Sequence, residues 1–192
     1  LSIVESLDAR SAAKAIEEAY PGKIAHFLMQ PPVKSLLVDP STIKGILEKN
    51  KGLFQGFGEV GLYMDGMEGM LPNDSYLKEI YKLADEHNLV VMLHPEDNMR
   101  DGIEEILAEF PEVNFQFHGG RYQEWVIDLM PKYKNVYYTA DDINALFGHE
   151  KEIGYQKTSS KEEYLTYMKL NFDKVVAKEV ARWKSRIEKN PD

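Results

Sequence analysis

Apolar residues along this chain recur with two different spacings, and the two spacings take turns. Short apolar runs fall at 23–29, 53–62, 89–93, 113–117 and 135–139, and each reads as a strand. Between them the apolar positions step by three or four, the period of a helix packed on one face. Residues 2–20 carry Ile3, Leu7, Ala12, Ala15, Ile16 and Ala19 on or near one face and stop at Pro21-Gly22. The strand at 23–29 closes on Gln30-Pro31-Pro32, and a short helix is predicted over 42–49 behind Pro40-Ser41, its N-cap region. Asp74 is placed to cap a helix through His87, with Leu77, Ile80, Tyr81 and Ala84 inward and Asn88 at its C-terminal stop.

Further on, 101–110 presents Ile103, Ile106, Leu107 and Phe110 at helical spacing, and 122–132 presents Trp125, Val126 and Leu129. One or two helical turns are expected at 143–147. Ser160 with Glu163 forms a capping box, and Phe172, Val175, Val176, Val180, Trp183 and Ile187 then mark a long amphipathic helix ended by Asn190-Pro191. Residues 63–73 form a loop with three methionines, read either as a lid over a site or as an adaptable apolar loop packed on its own scaffold. Strands alternating with helices predict an α/β fold with a parallel sheet.

The stretch 89–120 is the most informative. Strand, helix and strand in about 30 residues make a βαβ unit, whose two strands are parallel and adjacent. The first strand ends on His94 and the second on His118, so the histidines leave neighbouring C-terminal strand ends about 5 Å apart. That is the end where α/β folds carry their chemistry. Glu59 lies near the end of the strand before. Two imidazoles and a carboxylate at three consecutive strand ends are donors suited to a divalent metal.

The segments Gly58-Glu59-Val60-Gly61-Leu62, Leu93-His94-Pro95 and Phe110-Pro111-Glu112 through Phe117-His118-Gly119-Gly120 resemble the middle strands of the amidohydrolase superfamily. The likeness is strongest to its amidohydrolase-related branch, with a trace of the TatD-like hydrolases, and it covers roughly residues 53–142. It implies a (β/α)8 TIM-barrel type of fold with one or two divalent metals at the C-terminal face. Ligands in that family include a His-x-His pair on the first strand, histidines on the fifth and sixth, and an aspartate on the eighth. Two-metal forms add a bridging carboxylate on the fourth. By motif, Glu59 matches the fourth-strand carboxylate, and His94 and His118 match the fifth- and sixth-strand histidines. The strands at 23–29 and 135–139 then become the third and seventh.

The chain contains no His-x-His, and no apolar strand ending in aspartate follows the long last helix. The expectation is therefore a single but incomplete α/β barrel domain over 1–192, holding strands three to seven of a longer protein. The resemblance implies a metal-dependent hydrolase of a small-molecule amide, ester or related bond, with metal-activated water as nucleophile. Glu59, His94 and His118 are the expected metal ligands, and His118 with Asp142 the catalytic candidates. The expected ion is zinc, ahead of manganese, iron or nickel. Two other readings stand beside this one. Some members of the same branch are metal-dependent decarboxylases or hydratases, and a metal-free α/β scaffold would have its open sheet edges covered by a partner chain.

Composition narrows the rest. A net charge of −9 argues against a nucleic-acid backbone as partner, and the apolar runs are too short to span a bilayer. The absence of cysteine removes disulfides and thiolate ligands and suits a reducing, cytoplasmic setting. The first residue is Leu1, and Glu5, Asp8 and Arg10 interrupt any signal-like run. The expected partner is a small-molecule substrate, with a homo-oligomer left open. Of Asp141 and Asp142, one is expected to cap the helix from Ile143 and the other to reach the site. His26, inside a strand, reads as a core or barrel-lining residue, His87 as a helix-end residue, and His149 as part of a charged loop. Gly119-Gly120 would let backbone pass close to a ligand, and Arg121 or Tyr122 is a candidate contact for a substrate anion.

Overall fold

The computed structural model describes residues 2–4, 7–29, 37–62, 67, 69–118, 123–139 and 160–190. The chain divides into two compact units, Leu1–Thr139 and Ala140–Asp192. Among the described residues of the first, six strands alternate with five helices: β1 (Ser2–Val4), α1 (Leu7–Ala19), β2 (His26–Leu28), α2 (Pro40–Lys49), β3 (Gly56–Gly61), α3 (Ser75–His87), β4 (Val90–His94), α4 (Arg100–Glu109), β5 (Phe115–His118), α5 (Gln123–Leu129) and β6 (Val136–Thr139). All neighbouring strands are parallel, and their order in the sheet is their order in the chain, β1 to β6. A doubly wound sheet reverses direction part-way; this one advances without reversal, as the staves of a barrel do. Among the described residues β1 and β6 are its two open edges. The α/β fold with an incomplete run of parallel strands is thus the one expected.

One element is corrected. Residues 2–20 do not form a single helix: Ser2, Ile3 and Val4 pair in parallel with His26, Phe27 and Leu28, and the helix starts only at Leu7. Ile3 and Leu7 are four apart and so mimic one helical face, but a short apolar run with two β-branched residues fits a strand equally well. The sheet therefore holds one strand more than the five expected. Smaller shifts follow from capping and turn chemistry. Asp39 caps α2 by accepting from the Ser41 amide at 2.8 Å, which moves the helix start to Pro40, a favoured first residue. The helix predicted over 122–132 is the shorter α5.

Other expectations hold as read. Asp74 accepts from the Tyr76 amide to cap α3, and Asn88 ends it in the left-handed conformation at φ 52°. Ile103, Ile106 and Leu107 are buried on α4. Met67 and Met70, the described methionines of the 63–73 loop, pack on the apolar core. The strand close at Gln30-Pro31-Pro32 and the turns at 143–147 lie outside the described residues.

The core lies on the helix side of the sheet. Phe57 and Val60 of β3, Val91 and Leu93 of β4, Phe115 and Phe117 of β5 and Val136 of β6 pack there against buried residues of α2 to α5. Tyr81 of α3 is fully buried, meets Phe110 and Phe115 edge-on at 5.5 and 5.2 Å, and donates its hydroxyl to the Pro72 carbonyl at 2.9 Å. Burial pushes its phenol pKa well up. Asn135, buried just before β6, donates through Nδ2 to the carbonyls of Leu107, Phe110 and Val113 at 3.3, 3.0 and 3.1 Å.

The second unit contains the long helix α6 (Lys161–Lys189), opened as expected by the Ser160 hydroxyl accepting from the Glu163 amide at 3.1 Å. Its apolar positions Leu165, Phe172, Val176, Val180 and Ile187 are exposed. No described helix is long and apolar enough to cross a membrane.

Candidate metal centre

Successive strand residues face opposite sides of a sheet, so each strand contributes to the core and to the other face in alternation. In β5, Phe115 and Phe117 are core residues, which puts Gln116 and His118 on the opposite face. Register carries the same parity into β4, where Val91 and Leu93 lie beside Phe115 and Phe117, and Met92 lies beside Gln116. His94 is therefore on the same face as His118, one strand away. In β6, Thr139 is the register partner of His118.

Glu59 reaches this face through an irregularity in β3. Phe57 pairs with Val91 and Val60 with Leu93, so three steps along β3 match two along β4, which is a β-bulge. Without the additional residue Glu59 would share the face of Phe57 and enter the apolar core, and Val60 would leave it. With the bulge, Phe57 and Val60 both stay in the core and Glu59 turns to the histidines. Gly58 makes this possible. Its φ is +130°, and a Cβ there would lie 2.6 Å from the Met92 carbonyl oxygen.

The three side chains meet closely. His94 Nδ1 lies 2.9 Å and His118 Nε2 3.1 Å from the same oxygen, Glu59 Oε1. The two rings pack edge to face with centroids 4.8 Å apart. All three side chains are largely covered, with exposures of 18% for Glu59, 24% for His94 and 17% for His118. The hydrogen bond from His118, then that from His94, holds the Glu59 carboxyl well below the usual carboxylate range, and partial burial opposes them less strongly. The carboxylate is thus ionised at neutral pH, and it accepts the hydrogen bond from His94 Nδ1.

The donor set suits a divalent ion. One ligand atom from each of Glu59, His94 and His118 lies within 4.8 Å of the others. Donors about 2.1 Å from a tetrahedral ion sit roughly 3.4 Å apart, so modest side-chain adjustment would seat one. Nitrogen and oxygen donors without sulfur favour zinc or a neighbouring first-row metal over softer ions.

The remaining candidates fall elsewhere. His26 is fully buried in β2 on the helix side, with Nε2 3.8 Å from Glu17 Oε2 of α1, in keeping with a core role. His87 is the last residue of α3. Asp141, Asp142, His149, Gly119, Gly120, Arg121 and Tyr122 lie outside the described residues. The sequence reading passed over Gln116 and Thr139, which share the face of His118. The signal was present in Phe115-Gln116-Phe117-His118, where polar residues two apart mark one polar face.

No protein-family model matches the chain, and no curated protein matches it in sequence. Among solved structures it is similar to the crystal structure of a dihydroorotase from Campylobacter jejuni, at 15% identity and a TM-score of 0.49. The likeness covers 89% of this chain and 55% of that one, so the chain spans about half that enzyme's length.

Proposed function

We propose that this protein is a metal-dependent hydrolase acting on an amide, ester or related bond of a small molecule, with one divalent ion held by Glu59, His94 and His118. The observation that supports it is the meeting of two imidazole nitrogens from consecutive strand ends on one carboxylate oxygen. When bound, a divalent ion supplies Lewis acidity toward a substrate oxygen and lowers the pKa of water to about 7. Glu59 contributes a carboxylate already ionised, so it needs no deprotonation to act as ligand. His94 Nδ1 and His118 Nε2 would turn lone pairs to the ion, and because an imidazole binds metal only when neutral, metal uptake would weaken in acid.

His118 and Asp142 are the proposed catalytic residues. Zinc is the proposed ion, and residues 1–192 are proposed to act as one α/β barrel-type domain, with a cytoplasmic setting. The test is metal content by elemental analysis after exposure to zinc or manganese. The wild type is expected to retain about one ion per chain, and His94→Ala and His118→Ala to lose it. Retention of the ion in both variants would remove the proposal.

A further inference from the structure

Beside the histidines lies a pair of polar side chains that the metal reading leaves unused. Gln116 of β5 and Thr139 of β6 share the face of His118, and the Gln116 Nε2 donates to Thr139 Oγ1. Thr139 is the register partner of His118, so their Cα atoms are about 5 Å apart and their side chains leave the sheet in the same direction. Glu59, His94, His118 and Thr139 thus come from four consecutive strands, β3 to β6. Gln116 lies two residues before His118, beneath this row.

The hydrogen-bond direction decides what Thr139 offers. A hydroxyl has one proton and two lone pairs. The Gln116 amide occupies a lone pair and fixes the oxygen, which leaves the hydroxyl proton to be given. Among the described residues nothing accepts it. Held against β5, Oγ1 stands on the face of His118, one strand away, with that proton to give.

We infer that Thr139, oriented by Gln116, is a ligand-positioning residue: it donates a hydrogen bond to an oxyanion, a carboxylate or phosphoryl oxygen, of a molecule bound at the Glu59–His94–His118 centre. The inference rests on the metal reading above and adds the chemistry of what binds there.

The test uses the cobalt(II)-loaded protein, whose visible spectrum reports both the ion and any oxygen ligand beside it, titrated with sodium acetate. Removal of one neutral donor to a charged ligand is expected to weaken acetate binding about tenfold. Thr139→Val should show that loss with its cobalt affinity and acetate-free spectrum unchanged. Thr139→Ser, which restores the hydroxyl, should return within about twofold of the wild type. Gln116→Met, which keeps Thr139 but removes its donor, should fall between the two and supplies the answer if Thr139→Val does not fold. Acetate binding equal in wild type, Thr139→Val and Gln116→Met, or absent from the cobalt-loaded wild type, overturns this inference and leaves the metal centre standing. Failure of the wild type to take up cobalt overturns both.

Discussion

At the C-terminal ends of its strands the two faces of the same sheet carry different chemistries. Toward the helices, Val91, Leu93, Phe115 and Phe117 are almost wholly buried in a continuous apolar core. On the other side, one residue out of step, stand Gln116, His118, His94, Glu59 and Thr139. The histidines show how much depends on side rather than residue type. His26 points toward α1 and is sealed beside Glu17, whereas His94 and His118 point away from the helices and share a carboxylate. Stability and chemistry are separated by parity: the backbone that packs a phenylalanine presents a histidine one residue later.

The largest expected contrast follows directly. Phe117→Ala should cost about 3–5 kcal/mol of unfolding free energy, because it empties a fully packed site. Gln116→Ala, one residue away, should cost under about 1 kcal/mol. Urea titrations of both variants measure this, and equal losses would end the division of labour between the faces.

A middle effect comes from acid. The folded-state pKa of Glu59 is depressed, so its contribution to stability is complete above the ordinary carboxylate value of 4.5 and is lost as pH falls below it. Partial exposure screens this contribution to roughly 1–2 kcal/mol. Glu59→Gln should therefore unfold with a shallower pH dependence than the wild type between about pH 5 and pH 3. Parallel pH profiles would show that the two imidazoles do not stabilise the carboxylate.

The smallest effect concerns a contact of the same length. Lys44 Nζ and Glu86 Oε2 also stand 2.9 Å apart, but both side chains are about half exposed. Lys44→Ala should leave the thermal midpoint unchanged within error, since water competes for both charges. A clear drop would mean that separation, rather than enclosure, sets the worth of an ion pair here.

Much of this arrangement could be read from residue order. The parallel alternation of strand and helix, the caps Asp74 and Ser160, the stop at Asn88, and the approach of Glu59, His94 and His118 all follow from period, turn chemistry and the βαβ rule. What escaped did so for physical reasons. β1 was hidden because Ile3 and Val4 satisfy helical and strand spacing alike. The bulge at Gly58 was invisible because a glycine in an apolar run signals neither its own φ nor the register of a neighbouring strand. Gln116 and Thr139 were passed over because their pairing joins two strands, which no local pattern records. Asp142 lies outside the described residues.

Asn135 has a further mechanical consequence. Its single carboxamide grips carbonyls at the end of α4 and at the entry to β5, while its own carbonyl receives the Phe115 amide at 2.8 Å. The rim strand β6 is thereby riveted at its root to the preceding βαβ turn. It cannot peel outward without unfastening that turn as well, so Thr139 is carried on an anchored strip rather than a fraying one.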